Sequence, residues 1–273
     1  MTDKEKDVLE IRSEIEGNLR NCVRSFSIAE RFGADPAVIM QDITQSGSCF
    51  SFMLKSVEIY RAEFSSTVTF EVSYSLGRYT LRNILMNAEE KAAELNKMLI
   101  RPEMSSLLKA FVVHNYLLDT VEYDYNSNAN PLRYCYAHSA YGALVKKLSV
   151  CQGIADALKM IMDRAGEECF SVYGEARELS SSSWEGHAWN AICVREGCYV
   201  HIDTTFDICV RQIDQYMFFG KNSIQMHGDH RWDEDLYPKA VSGIDVMGEL
   251  KKELSIKYIQ LRNSGVPAKY MQL

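Results

Sequence analysis

Apolar residues recur at Val8, Ile11, Ile15 and Leu19, the spacing of one buried helix face. Asp35-Pro36 offers an N-cap followed by a first-turn proline and predicts a short second helix. The period then changes to two. Val68, Phe70, Val72 and Tyr74 alternate with Thr67, Thr69, Glu71 and Ser73, which predicts a strand with one buried face, broken at Gly77. From Leu81 the set Ile84, Leu85, Ala88, Ala92, Leu95 and Leu99 returns to the helical period until Pro102 stops it. Residues 1–101 are therefore expected to form a small α+β lead domain. A further helix carries Leu107, Leu108, Phe111, Val112 and Leu118, with His114 near the stripe as a core histidine held by a hydrogen bond. Asp124 to Pro131 is turn-forming and is expected to be a loop.

Most of the chemistry falls between residues 138 and 207. Ile154, Leu158, Ile161, Met162 and Ala165 form one helix face that ends at Gly166, so Cys151 sits at a helix N-terminus. Unpaired N–H groups and the positive end of the macrodipole favour a thiolate over a thiol at such a position. Phe170 to Tyr173 predicts a strand, and Gly186 to Val194 another. Arg195-Glu196-Gly197 is a compact turn, and the returning strand is expected to run from Cys198 to Asp207. A hairpin centred on residue 196 places His187 opposite residue 205, with Asp203 within a diagonal cross-strand contact. Sulfur, imidazole and carboxylate are the groups that acyl transfer requires: a nucleophile, a proton shuttle, and a partner that fixes the tautomer of the shuttle.

Composition narrows the alternatives. With 47% hydrophobic and 25% charged residues the chain is that of a globular protein, not a disordered one. A net charge of −7 without a dense Lys/Arg run argues against nucleic acid and anionic membrane as partners. No apolar stretch approaches the roughly 20 residues of a membrane span. The start, Met1 to Asp7, carries charges of both signs and lacks the pattern of a secretory signal, so a cytoplasmic location is expected. The 8 cysteines include no Cys-x-x-Cys pair and are expected to be reduced. Cys193, Cys198 and His201 cluster but lack a fourth ligand, and His227 and His230 are expected in a solvated loop, so neither a metal nor another cofactor is expected.

The order and settings of Val150-Cys151-Gln152-Gly153-Ile154-Ala155, Gly186-His187-Ala188-Trp189-Asn190 and His201-Ile202-Asp203-Thr204-Thr205-Phe206-Asp207 resemble the bacterial transglutaminase-like superfamily. The likeness extends to His114-Asn115-Tyr116-Leu117, Ser139 to Leu144, Tyr216 to Phe219 and His230-Arg231-Trp232. It implies an α+β, papain-like core over residues 102–240: a helix bearing the nucleophile, packed on an antiparallel sheet. It also implies that Cys151 is the nucleophile, His187 the general base and acid, and Asp203 the residue that orients the histidine. Asn115 and Phe206 stand where the family commonly has aspartate and tryptophan.

Around these three, the backbone N–H of Cys151 and the side chain of Gln152 are candidate oxyanion donors. Tyr141, Trp184, Trp189 and Phe206 are candidate walls of a substrate groove, Trp184 because it follows the serine run Ser180 to Ser183. Met247, Leu250, Leu254, Tyr258 and Leu261 predict a C-terminal helix within residues 241–273 that packs on the core or on a partner. The expected activity is attack on a peptide or protein amide through a thioacyl intermediate, resolved by water in a peptidase or deamidase. A protein-crosslinking transglutaminase and a noncatalytic binding module on the same fold are the alternatives, with a zinc-stabilised scaffold as a third.

Overall fold

A computed structural model of the chain describes residues 3–31, 34–45, 49–63, 65–177, 182–240 and 243–273, with side chains omitted at 3–5 and 45. Ser180 and Ser181 of the serine run lie outside the described residues. The chain divides into two compact units, residues 1–86 with 128–135, and residues 87–127 with 136–273.

In the first unit, helix α1 (Asp3–Arg20) buries Ile11, Ile15 and Leu19, as their spacing predicts. Strand β1 (Ser25–Ala29) follows, then α2 (Pro36–Gln45), where the Asp35 carboxylate accepts the Ala37 N–H at 2.8 Å. Strands β2 (Leu54–Arg61) and β3 (Thr67–Tyr74) complete an antiparallel sheet of order β1-β3-β2, with Val68, Phe70 and Val72 turned inward. Helix α3 (Arg78–Leu99) leaves this unit after Met86, so the division falls inside the helix and not at its end.

The second unit opens its core with α4 (Ser106–Thr120), capped by Ser105, whose hydroxyl accepts the Leu108 N–H at 3.1 Å. Residues Leu107 to Leu118 of α4 are all buried, which makes it a central helix and not a surface one. Short strand β4 (Glu122–Tyr123) comes next. Residues 128–135 belong to the first unit, and there the segment expected to be a loop gives way to a helix, α5 (Pro131–Ala137), because Asn130 accepts the Arg133 N–H at 2.9 Å and caps it. Strand β5 (Leu148–Ser149) pairs in parallel with β4 and delivers the chain to α6 (Cys151–Arg164). Gly166, at φ +75°, lies just past the end of α6.

Strands β6 (Cys169–Ala176), β7 (Glu185–Arg195) and β8 (Cys198–Ile202) follow, then α7 (Thr204–Val210) and β9 (Phe219–Lys221). The small helix α8 (Ser223–Met226), strand β10 (His230–Arg231) and helix α9 (Val246–Asn263) complete the order. The sheet is antiparallel throughout, in the order β10-β6-β7-β8-β9. Ile154, Leu158, Ile161 and Met162 of α6 pack with Leu108 and Phe111 of α4, Ile192 of β7 and Ile202 of β8. Leu250, Leu254 and Leu261 of α9 join that core. Asn190 of β7 ties the sheet to α6 by donating to the Ala155 carbonyl at 3.0 Å.

The β7–β8 register is the one the turn predicts, with Cys193 opposite Tyr199 and Asn190 opposite Ile202. The returning strand is shorter than expected, however. It stops at Ile202 because the Asp203 carboxylate accepts the Phe206 N–H at 2.9 Å and starts α7. No described helix is long and apolar enough to cross a membrane.

Gly153 sets how closely α6 approaches the loop before it. A Cβ there would lie 2.5 Å from the Ser139 carbonyl oxygen, 2.6 Å from that of Ala137 and 2.3 Å from the Ser149 hydroxyl. Alanine gains about 1 kcal/mol over glycine in helix propensity, but two of these clashes are with backbone and cannot be relieved by a rotamer change. Gly153→Ala is therefore expected to destabilise the protein by roughly 1–3 kcal/mol, read as a lower midpoint in urea unfolding; an unchanged or higher midpoint would contradict this packing.

Candidate active site

Cys151 is the first residue of α6, after Val150 in extended conformation, and it is half-buried. Val150 N–H donates to the Ala137 carbonyl at 3.1 Å and the Ser149 hydroxyl donates to the same oxygen at 2.7 Å, which fixes the approach to the helix. The backbone N–H of Cys151, like those of Gln152 and Gly153, has no partner within its own helix, whose first bond runs from the Ile154 N–H to the Val150 carbonyl at 3.1 Å.

His187 lies on β7 with its side chain 8% exposed. Its Nε2–H donates to Asp203 Oδ2 at 2.7 Å, and its ring interacts with the Cys151 side chain. With Nε2 committed to the carboxylate, Nδ1 is the nitrogen available to the sulfur. Burial works against the imidazolium, but the Asp203 charge and hydrogen bond, with the contact to Cys151, outweigh it and raise the His187 pKa. Asp203 is completely buried, which by itself would favour its neutral form. His187 and His230 nevertheless hold the carboxyl well below the usual range.

The structure thus brings Cys151, His187 and Asp203 together from α6, β7 and the N-cap of α7. A cavity of about 310 Å³ opens beside His187, lined by Tyr123, Tyr125, Glu185, Thr205, Phe206 and Cys209 among others. Phe206 is the one predicted groove aromatic on this wall, its ring 4.8 Å from that of His187.

The other three aromatics lie elsewhere. Trp189 is buried beneath His187, its indole N–H donating to His201 Nδ1 at 3.2 Å, so it is core and not groove. Trp184 has the Arg177 and Arg231 guanidiniums over its ring, at 5.0 and 4.4 Å. Tyr141 packs against Tyr136 with the Lys146 ammonium over its ring. Gln152 follows Cys151 in the first turn of α6 and is half-buried. Tyr123 reaches this wall from β4; burial, and next the nearby Cys151 and Cys209, raise its pKa, so the phenol keeps its proton.

His230 corrects an expectation. It is not in a solvated loop but fully buried on β10, where pairing of His230 with Ala176 places it against Asp203. His227 is partly exposed, stacked on Trp232 at 4.6 Å and paired with Glu234 at 2.8 Å. Among the described residues, the group of three potential metal ligands that lie together is His187, Asp203 and His230. Their nitrogens sit 2.7 and 2.9 Å from one carboxylate oxygen, the lengths of charge-assisted hydrogen bonds, so these atoms are turned to one another. His114 is buried as expected, its Nδ1 2.9 Å from the Thr204 hydroxyl.

A histidine on an antiparallel sheet and an aspartate capping the helix that follows it, beside a helix tipped by cysteine, make a cysteine-enzyme type of α+β fold. Residues 93–204 match the model of the transglutaminase-like superfamily, a segment that includes Cys151, His187 and Asp203. The crystal structure of a TGase is similar at 12% identity with a TM-score of 0.37, over 66% of this chain and 50% of that one. The chain spans about half the length of that protein. No curated protein matches the chain.

Asp156, on the face of α6 toward β6, is a second buried carboxylate. Ser171 and Tyr173 hydroxyls donate to Oδ1 at 3.0 and 3.2 Å, while Oδ2 has no partner. Burial pushes its pKa up to about 7, and the two hydroxyls offset only part of that rise. Between its ordinary value and about 7 the folded chain holds a proton that the unfolded chain releases, so stability falls as pH rises through that window. Asp156→Asn is expected to lose less melting temperature than the unsubstituted protein between about pH 5 and about pH 8; identical losses would show that Asp156 does not titrate there.

Proposed function

We propose that the chain is a cysteine enzyme acting on peptide or protein amide bonds through Cys151, His187 and Asp203. The observation that carries this reading is the connected set itself. A half-buried sulfur at a helix N-terminus interacts with an imidazole whose far nitrogen is bonded to a buried carboxylate, beside an open cavity.

In the proposed reaction His187 Nδ1 accepts the thiol proton and the sulfur bonds to the amide carbon. The oxygen of the resulting tetrahedral species faces the N-terminus of α6, where the Cys151 N–H can donate to it. His187 returns its proton to the departing nitrogen as the C–N bond breaks, leaving a thioacyl enzyme. Water, deprotonated by the same imidazole, then adds to the thioester carbon, and the sulfur leaves with the proton. Asp203 keeps Nε2 protonated throughout, so that Nδ1 always faces the chemistry. Water requires no second binding site, which favours hydrolysis over amine transfer; the first half-reaction is common to both.

Incubation with a mixed peptide library, with and without an amine donor, followed by mass spectrometry tests this reading with Cys151→Ala as control. Cleaved peptides or a shift of about +1 Da at glutamine are expected, whereas amine adducts would identify a transglutaminase. Iodoacetamide is also expected to label Cys151 faster at mildly acidic pH than Cys49, Cys193, Cys198 or Cys209, with the advantage lost in His187→Ala. No product from any library and no selective labelling would leave a binding module.

A further inference from the structure

His230 has no part in the reaction as written, yet it is completely buried against it. Its Nδ1 lies 2.6 Å from Asp229 Oδ1 and its Nε2 2.9 Å from Asp203 Oδ2. An ionised carboxylate can only accept, so both ring nitrogens must carry protons and the ring is an imidazolium. The rings of Trp189, Phe206 and Phe218 surround it, with centroids 4.9, 4.9 and 5.7 Å away. The titratable groups facing it are Asp203 from the start of α7, Asp229 beside it, His187 on β7 and His201 on β8. Burial pushes His201 down to about 3, so that ring is neutral and can accept the indole proton of Trp189.

We infer that His230 is a positioning residue that clamps the Asp203 carboxylate and shares its negative charge, so that His187 releases its proton more readily than it would beside an unshared aspartate. The inference rests on the proposed reaction, in which His187 must take up a proton and give it back. An imidazole paired with a desolvated carboxylate that has no other cation nearby holds its proton too firmly for the second step, since a shuttle works best when its pKa lies near the operating pH. Here the same oxygen, Asp203 Oδ2, takes both imidazoles, and the two rings stand 5.6 Å apart, where like charges oppose one another.

The test is a histidine-labelled NMR titration of the full chain, which reads each imidazole without a substrate. In the unsubstituted protein His230 is expected to show protons on both nitrogens at neutral pH; a neutral His230 ring overturns the inference with no variant needed. His230→Gln keeps an N–H donor but no charge, and the His187 midpoint is expected to rise by roughly 1–2 pH units, the effect of one charge at this separation in a partly screened interior. A His187 midpoint that stays put or falls in folded His230→Gln overturns the inference, and His230→Asn, an equally uncharged N–H donor, supplies the same reading if the glutamine variant does not fold. Failure of the proposed reaction appears separately, as nonselective alkylation of Cys151 in the unsubstituted protein.

Discussion

The Asp203 carboxylate is the joint on which the rest of the structure turns. It accepts three N–H groups from three elements: Phe206 in its own helix, His187 from β7 and His230 from β10. A buried carboxylate without such donors would take up a proton, since desolvation disfavours its charge. With them it stays ionised, and the geometry of its donors becomes the geometry of the site. The end of β8, the start of α7, the place of β10 and the tautomer of His187 all follow from satisfying this one group.

Helix α7 needs that anchorage because it is only 7 residues long, too short to stand by propensity alone. A second aspartate one turn on pins its other side. Asp207 accepts the Phe218 N–H at 2.8 Å and faces His114 Nε2 at 3.3 Å, while the other nitrogen of His114 reaches the Thr204 hydroxyl. Burial pushes Asp207 up to about 6, whereas Asp203, with two imidazoles at one oxygen, is driven the other way. Two carboxylates on one short helix thus differ in charge affinity through their partners: one is strongly anionic at the site, the other a weaker acid in the core behind it.

Much of this was legible in the chain before any coordinates. The turn Arg195-Glu196-Gly197 sets the β7–β8 register, and local periodicity places Cys151 at the tip of α6, because both depend on neighbours in sequence. The end of β8 was not legible, since Thr204-Thr205-Phe206 are β-branched and aromatic residues that continue a strand by propensity. The Asp203 cap overrides that preference with a hydrogen bond. His230 was hidden for a different reason: its run of Asp229, Arg231 and Asp233 is polar, and its burial arises from pairing with β6 more than fifty residues earlier. Trp189 misled in the opposite sense, as an aromatic near the candidate histidine that proves to be the floor under it. The cavity residues Tyr125, Glu185 and Cys209 carry no periodic signal at all, because a wall assembled from a loop, a strand end and a helix has no one-dimensional pattern.

The side chains around the site also divide into a rigid half and an open half. From Asp229 through His230 and Asp203 to His187, acids and bases alternate, so each buried charge is met by its opposite and the desolvation cost of each is offset by a neighbour. Such a network holds its geometry only while every member is satisfied, and removing one strands the next. On the cavity side Tyr125, Ser183 and Glu185 are exposed to solvent, Tyr125 at 81%. In the proposed reaction the reach and orientation of His187 are therefore set by the interior, while the choice of acyl group and acceptor falls to the wall facing solvent. Sequence change on that wall can alter specificity without disturbing the hydrogen bonds that hold His187 in place.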